Sequence, residues 1–250
     1  MTDAPRLDRD RDALARLLGD ARVVTVFTGA GISTECGVPD YRSPGSPWRI
    51  HAPIAFKDYL ADPAMRAEAW RRKFAMDDLY AGAVPGRGHR AVARWAQSGL
   101  VRTVVTQNID GLHLAAGAPG DDIVELHGNG GYARCLSCGT RQDLAPIRAR
   151  FARDGALPEC RCGGIVKSAS IAFGQALDEA DLRRAVSAAL GCDLFIVLGS
   201  TLLVRPAARF PELARRNGAR LAIVNREPTP LDAAADLVAR ADIGDLLDPL

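Results

Sequence analysis

The stretch VVTVFTGAGISTECGVPDYR, residues 23–42, decides the fold, because its apolar run ends abruptly in a Gly-Ala-Gly turn. That order predicts the first strand and the phosphate turn of a dinucleotide-binding sheet. The third glycine of the usual G-x-G-x-x-G pattern is missing, since Thr34 occupies its position. Arg49 stands about 20 residues downstream, where an acidic ribose ligand is expected. Taken alone, the turn leaves both a nucleotide site and a plain turn open.

Composition places the chain among ordinary globular proteins. Its 250 residues are 48% hydrophobic and 25% charged, with a formal net charge of +2. Charges of both signs are interspersed, which argues against a nucleic-acid partner. No apolar run approaches the roughly 18 residues of a membrane span, and the charged N-terminus does not resemble a signal peptide. We therefore expect a cytoplasmic protein, monomeric and without a membrane partner.

Several short apolar runs rich in β-branched residues end in Gly, Asn or polar residues. Each is too short for a buried helix and predicts a parallel strand. Helical patterns lie between them, and each ends at a glycine of the kind that follows a last turn. The alternation predicts an α/β fold, a doubly wound parallel sheet with ligands at the carboxyl ends of its strands. The predicted strands are 22–29, 101–108, 122–128, 193–200 and 220–227, and the predicted helices are 89–99, 178–191 and 206–218.

Two stretches break this alternation. Residues 43–87 begin with a Pro/Gly-rich segment and continue as a helical pattern, which predicts a mobile loop followed by a helical insertion. Residues 129–168 carry four cysteines and little apolar periodicity, which is typical of a small module that needs a cross-link. The remaining segments, 1–42, 88–128 and 169–250, are assigned to the dinucleotide-binding domain.

The four cysteines of the small module form two metal-binding half-sites. Cys135-x-x-Cys138 has the spacing of a zinc knuckle, and Cys160-x-Cys162 is one residue shorter than usual. Four thiolates complete the tetrahedral shell of Zn²⁺ and leave no open position, so the expected zinc is structural. A disulfide or free thiols are the alternatives, although disulfides are rare in cytosolic proteins.

Polar residues follow the predicted strands at the edge where a ligand would bind. Residues 106–113, TQNIDGLH, suit a hydrogen-bonding pocket, although an Asx-rich turn is the alternative. His127 follows the third predicted strand, and a lone histidine is most often structural. A second Gly-Ser turn at 199–200 and the strand-end Asn225 complete the set. Asn225 could make the ribose contact that Arg49 cannot.

In this order the motifs resemble the sirtuins, a family of NAD-dependent protein lysine deacylases. GAGISTECGVPDYR resembles the first signature of that family, TQNID resembles the second, and HG carries its histidine. Five further segments also resemble the family pattern in the same order: the cysteine module, the FG at 173–174, the GSTL turn, the VN at 224–225 and the ADIG at 241–244. The resemblance implies a Rossmann-like sheet with a zinc-ribbon module, one structural Zn²⁺ and a cofactor loop within 43–87. It also implies an enzyme that transfers the acyl group of acyl-lysine proteins to the ADP-ribose of NAD and releases nicotinamide.

The resemblance also assigns roles to individual residues. His127 would be the general base for the ribose hydroxyls, and Asn108 would position the ribose and a water. The acyl-lysine peptide would add as a strand between residues 171–175 and 202–206. Phe173, Gly174 and Val204 would line its lysine channel. The expected NAD contacts are Gly29, Ala30, Gly31, Ser33, Asp40, Tyr41, Arg42, Gln107, Asn108, Ile109, Asp110, Gly199, Ser200, Thr201, Asn225, Glu227 and Ile243.

The sequence departs from the family pattern at a few positions. Ser168 and Gln175 stand where the family usually has Pro and Glu, and GST replaces Gly-Thr-Ser. Sirtuins that remove succinyl or malonyl groups carry a Tyr-x-x-Arg pair, where this chain has Trp70 followed by Lys73. We therefore expect acetyl or other uncharged acyl groups. The alternatives are an ADP-ribosyltransferase or NAD hydrolase of the same fold, and a non-catalytic NAD-binding regulator.

Overall fold

A six-stranded sheet forms the centre of the computed structural model, which describes residues 4–40, 46 and 53–250. Its strands are β1 (Val24–Thr28), β2 (Val101–Thr106), β3 (Ile123–Glu125), β7 (Leu194–Leu198), β8 (Arg220–Val224) and β9 (Leu237–Ala239). All neighbouring pairs are parallel, in the spatial order β3-β2-β1-β7-β8-β9. This is the strand order of a Rossmann-type sheet, which reverses between β1 and β7, where such sheets bind ligands.

Helices cover both faces of the sheet. Every residue of β1 and β7 is buried, because apolar side chains on each face meet a helical layer. One core contains Val26 of β1 and Leu14 of the N-terminal helix, and the other contains Phe27 of β1 and Ala185. The helices are α1 (Ala4–Asp20), α2 (Phe56–Ala61), α3 (Pro63–Leu79), α4 (Arg87–Gln97), α5 (Leu112–Ala115), α6 (Leu144–Asp154), α7 (Glu179–Gly191), α8 (Arg209–Arg216) and α9 (Ile243–Leu247). The doubly wound α/β prediction is therefore confirmed.

The chain between β3 and β7 forms a second sheet of three antiparallel strands. It has the order β5-β4-β6, with β4 (Gly128–Cys135), β5 (Arg141–Asp143) and β6 (Val166–Ser170). Its core contains Ala133 and Val166 together with Trp70 and Phe74 of α3. The helical insertion and the cysteine-bearing segment thus share one small core.

The structure corrects one predicted helix end and adds elements that the sequence does not predict. The prediction that Gly191 follows the end of its helix is wrong, because α7 includes Gly191 and the chain becomes extended at Cys192. The short strand β9 and helix α6 have no counterpart among the predicted elements. Tyr41 and Arg42 lie outside the described residues. Among the residues that are described, no helix is both long and apolar enough to cross a membrane.

Candidate active site

Two glycine turns meet at the switch point between β1 and β7. The Gly29 N–H donates to the Leu198 carbonyl at 3.0 Å, and the Gly31 N–H donates to the Gly199 carbonyl at 2.9 Å. A β-carbon on Gly31 would lie 2.7 Å from Gly199 Cα, and one on Gly29 would lie 2.7 Å from the Gly199 oxygen. Gly199 itself has a φ of 65°, which favours glycine. Only glycines allow this approach of the two backbones.

A buried hydroxyl joins the first turn to the segment after β2. Ser33 is fully buried, and its Oγ donates to Asp110 Oδ2 at 2.7 Å. The Asn108 side-chain amide donates to Ser33 Oγ at 3.1 Å and to the Gly29 carbonyl at 3.2 Å. The Leu112 N–H holds the other oxygen of Asp110 at 3.0 Å. Since the protein uses both amide hydrogens of Asn108, its Oδ1 is the atom that it can offer to a ligand.

Two buried histidines that the sequence analysis did not single out also contact residues of this site. His89 of α4 lies 3.3 Å from Ser33 Oγ, and His113 of α5 lies 2.9 Å from the hydroxyl of Thr28. Their rings meet edge to face with centroids 5.0 Å apart. Burial, with a smaller contribution from His89, lowers the pKa of His113 to about 3. His113 is therefore a neutral hydrogen-bonding residue of the interior.

His127 follows β3 and faces the same edge of the sheet. Its Nδ1 lies 2.9 Å from the Gln107 carbonyl. Because a carbonyl only accepts, Nδ1 carries the proton and Nε2 keeps its lone pair. Burial lowers the pKa of His127, and the hydrogen bond to Gln107 partly offsets that effect. The imidazole is therefore neutral near pH 7 and presents Nε2 as a base.

The segment after β2 also contacts the turn after β7. Ser200 Oγ donates to Gln107 Oε1 at 2.6 Å, so the side chain of Gln107 faces Ser200 while its carbonyl orients His127. Further along this edge, Asn225 follows β8 and donates its side-chain amide to the Glu227 carbonyl at 2.8 Å. The turns after β1, β2, β3 and β7 are thus linked directly by hydrogen bonds, and Asn225 extends the same row.

The other predicted site residues lie in more varied surroundings. The Ile109 carbonyl accepts from the Gly130 N–H at 2.7 Å, which ties the segment after β2 to β4. Ile243 is buried in the core beneath the sheet, and Glu227 is exposed. Phe173 is 53% exposed. Partly exposed are Ala30, Asp40, Thr201 and Val204, and Gly174 is exposed with a φ of 81°.

The four cysteines of the small sheet converge on one point. The sulfurs of Cys135, Cys138, Cys160 and Cys162 all lie within 4.8 Å of one another. Three of the sulfur pairs, Cys135–Cys162, Cys138–Cys160 and Cys160–Cys162, are 3.5 Å apart, and all four thiols are free. Tetrahedral Zn²⁺ with Zn–S bonds of about 2.3 Å spaces its sulfurs by about 3.8 Å. The cluster therefore fits a structural zinc, and the short Cys160-x-Cys162 spacing still brings both thiols to it.

Comparison with known proteins agrees with this geometry. The family model described as Sir2 family matches residues 29–206. NAD-dependent protein deacetylase 1 of Bradyrhizobium diazoefficiens is 51% identical, over 95% of this chain and 94% of that protein. The NAD-dependent protein deacetylase of Rhodopseudomonas palustris is 49% identical, over 98% of both chains. A solved structure of Sir2 with a p53 peptide and NAD+ superposes with a TM-score of 0.83 at 32% identity, over 95% of both chains.

Proposed function

This chain belongs to the Sir2 family, and from that premise we propose that it is an NAD-dependent protein lysine deacetylase. NAD supplies ADP-ribose as the acceptor of the acyl group and nicotinamide as the leaving group. The observation that carries the proposal is the hydrogen-bonded convergence of His127, Gln107, Asn108 and Ser33 at the switch point of the sheet. The substrates are acylated-lysine proteins.

His127 is the general base of the proposed reaction. The Gln107 carbonyl fixes its tautomer, so Nε2 accepts the proton of a ribose hydroxyl. A histidine of ordinary pKa, about 6.5, is still partly protonated near neutral pH. The lowered pKa of His127 keeps its Nε2 unprotonated there. Asn108 Oδ1 lies at the same edge and orients the ribose.

The remaining site residues are assigned to different parts of NAD. Gly29, Gly31 and Ser200 line the phosphate region, because the two glycine turns approach each other closely and keep larger side chains out of it. Asp110 and Ile109 hold the nicotinamide carboxamide. Ala30, Asp40, Tyr41, Arg42, Gly199, Thr201, Asn225, Glu227 and Ile243 keep the NAD contacts that the family resemblance assigns to them.

Ser33 has a more specific role than a phosphate contact. Its hydroxyl is fully buried and already engaged by Asn108, Asp110 and His89. We assign Ser33 to holding the Asp110 carboxylate in place. The carboxamide N–H of the bound nicotinamide then meets a fixed acceptor, which lowers the entropy lost on binding.

The helical insertion supports a preference for uncharged acyl groups. Trp70 is 2% exposed and stacks on Phe74, with ring centroids 5.5 Å apart, so it offers no polar group to an acyl chain. Lys73 is paired with Asp77 on the same helix. Neither residue can provide the free cation that an acidic acyl chain needs. Acetyl-lysine is the expected substrate, held in the channel formed by Phe173, Gly174 and Val204.

We assign the zinc module a structural role, with no part in the chemical reaction. Cys135, Cys138, Cys160 and Cys162 would hold Zn²⁺ as four thiolates, which leaves no position for a reactive water. The metal would cross-link β4 to the turn before β6. We also propose that the enzyme works in the cytoplasm as a monomer. Light scattering on the purified protein tests the oligomeric state.

Product analysis tests the proposed function. Purified protein is incubated with an acetyl-lysine peptide, with and without NAD, and both products are identified by mass spectrometry. The proposal predicts free lysine together with O-acetyl-ADP-ribose, only when NAD is present. NAD turnover without deacetylation would instead indicate a transferase or hydrolase of the same fold. NAD binding without turnover, across several acyl groups, would indicate a regulator.

A further inference from the structure

The first residues of β4 form a wide bulge directly after His127. Residues 128–133 of β4 lie opposite the shorter segment 168–170 of β6, so the extra residues of β4 bulge out of the ladder. A bulge leaves backbone groups without ladder partners, and bulges beside active sites re-aim the chain. The Gly131 N–H is such a group, and it donates to the side-chain oxygen of Asn129 at 2.7 Å. A side chain of the bulge therefore fixes the backbone of the bulge.

The same asparagine also bonds to the last residue of β3. The Asn129 amide nitrogen donates to Glu125 Oε1 at 2.7 Å. Glu125 stands two residues before His127 and Asn129 stands two residues after it, so this bond closes the short loop that carries the histidine. Glu125 is itself held in the large sheet, where it pairs with Thr106 of β2. The loop around His127 is thus tied to the sheet at one end and to the bulge at the other.

The partner of Asn129 is a half-buried carboxylate in acidic surroundings. Burial raises the pKa of Glu125, the hydrogen bond from Asn129 opposes that rise, and the carboxylates of Asp181 and Asp110 add to it. Asp181 lies on α7, and Asp110 lies in the segment after β2. Hydrogen bonds to an ionised acceptor are stronger than those between neutral groups. A neutral donor at position 129 therefore suits this site, and a second carboxylate there would be repelled.

We propose that Asn129 is a positioning residue for His127. Its bond to Glu125 holds the loop to β3, and its bond to the Gly131 N–H holds the loop to the bulge. The backbone of His127 is fixed on both sides in this way, and the Gln107 carbonyl then orients its ring. This inference rests on the proposed deacetylase function, because it concerns the base of that reaction.

The test turns the hydrogen bond into a repulsion without changing the size of the side chain. Asn129→Asp keeps an acceptor for the Gly131 N–H but sets a second carboxylate against Glu125. We expect kcat to fall about ten- to hundredfold at pH 8, because a small displacement of a catalytic group is enough for a loss of that size. NAD affinity should stay near the wild-type value, because no described hydrogen bond joins the bulge to the glycine turns.

Two changes should relieve this defect. At lower pH the two carboxylates share a proton, so the ratio of the Asn129→Asp kcat to the wild-type kcat should rise as the pH falls from 8 to 6. Taking the ratio at each pH removes the titration of His127, which both proteins share. In the double variant with Glu125→Gln, the glutamine amide can donate to the new aspartate. Its kcat should return to within about threefold of the wild type at both pH values, because a hydrogen bond replaces the repulsion.

Asn217→Asp is the matched control. The Asn217 amide also donates one hydrogen bond of 2.7 Å, to the Leu190 carbonyl at the surface, so the control should keep the wild-type kcat at both pH values. A wild-type kcat in Asn129→Asp would overturn the inference, as would a loss that neither lower pH nor Glu125→Gln relieves. Either result leaves the proposed function intact if the wild type deacetylates. Failure of the wild type to deacetylate would count against the function itself.

Discussion

Replacing Gly31 with alanine should separate the two turns that form the phosphate region. The new β-carbon would lie 2.7 Å from Gly199 Cα and 2.9 Å from the Gly199 oxygen, closer than real β-carbons approach other atoms. Gly199 cannot move freely away, because its N–H donates to the Val224 carbonyl at 2.9 Å. Overpacking of this kind typically costs about 1–3 kcal/mol in the free energy of unfolding. The same displacement should weaken NAD binding.

Denaturant unfolding and NAD titration measure both effects of Gly31→Ala. The matched control is Gly191→Ala, where the same added methyl meets no heavy atom within 4 Å and lies in helix α7. That control should gain up to about 1 kcal/mol, because alanine favours the helix over glycine. The two substitutions should therefore shift the unfolding midpoint in opposite directions. A Gly31→Ala variant with the wild-type midpoint and wild-type NAD affinity would refute the close approach of the two turns.

Two further predictions concern the histidine and the metal. The acid limb of the kcat/KM profile should lie below the ordinary histidine pKa of about 6.5, because burial lowers the pKa of His127 and only the neutral imidazole acts as base. A profile from pH 5 to 8 checks this, and a limb centred above 6.5 would contradict it. Purified protein should carry one zinc per chain by elemental mass spectrometry, and Cys138→Ser should lower both zinc content and melting temperature. A metal-free protein with the same melting temperature as the zinc-loaded protein would contradict a structural zinc.

The sequence predicts the large sheet well because its strands are strongly apolar. Each of the five predicted parallel strands appears in the sheet, where buried β-branched residues meet a helix layer on each face. β9 escapes prediction because it has only three residues, Leu237–Ala239, and two of them are half-buried. Helix α6 escapes because only Ile147 of its 11 residues is buried, which leaves little apolar periodicity to detect. Its stability depends on the shared small core rather than on its own periodicity.

The candidate site is less predictable in its detail than in its location. Parallel strands place their carboxyl ends together, so the convergence of Asn108, His127 and Ser200 follows from the order of motifs. The inward direction of the Ser33 hydroxyl does not, because it depends on Asp110 and on His89 of α4. His89 follows no strand, so the strand-end pattern gives no signal for it. The roles of the individual residues stay predictions until variants are assayed.

The rate of deacetylation by His127→Ala, measured with saturating NAD and acetyl-lysine peptide, tests the central claim most directly. General-base catalysis contributes typically about 10²–10⁴-fold, so the account predicts a loss of that size. NAD affinity should stay near the wild-type value, because the described hydrogen bonds of His127 join it to Gln107 and Ile171 rather than to the glycine turns. A variant that deacetylates at the wild-type rate would contradict the assignment of His127 as the base and of this strand-end cleft as the catalytic centre.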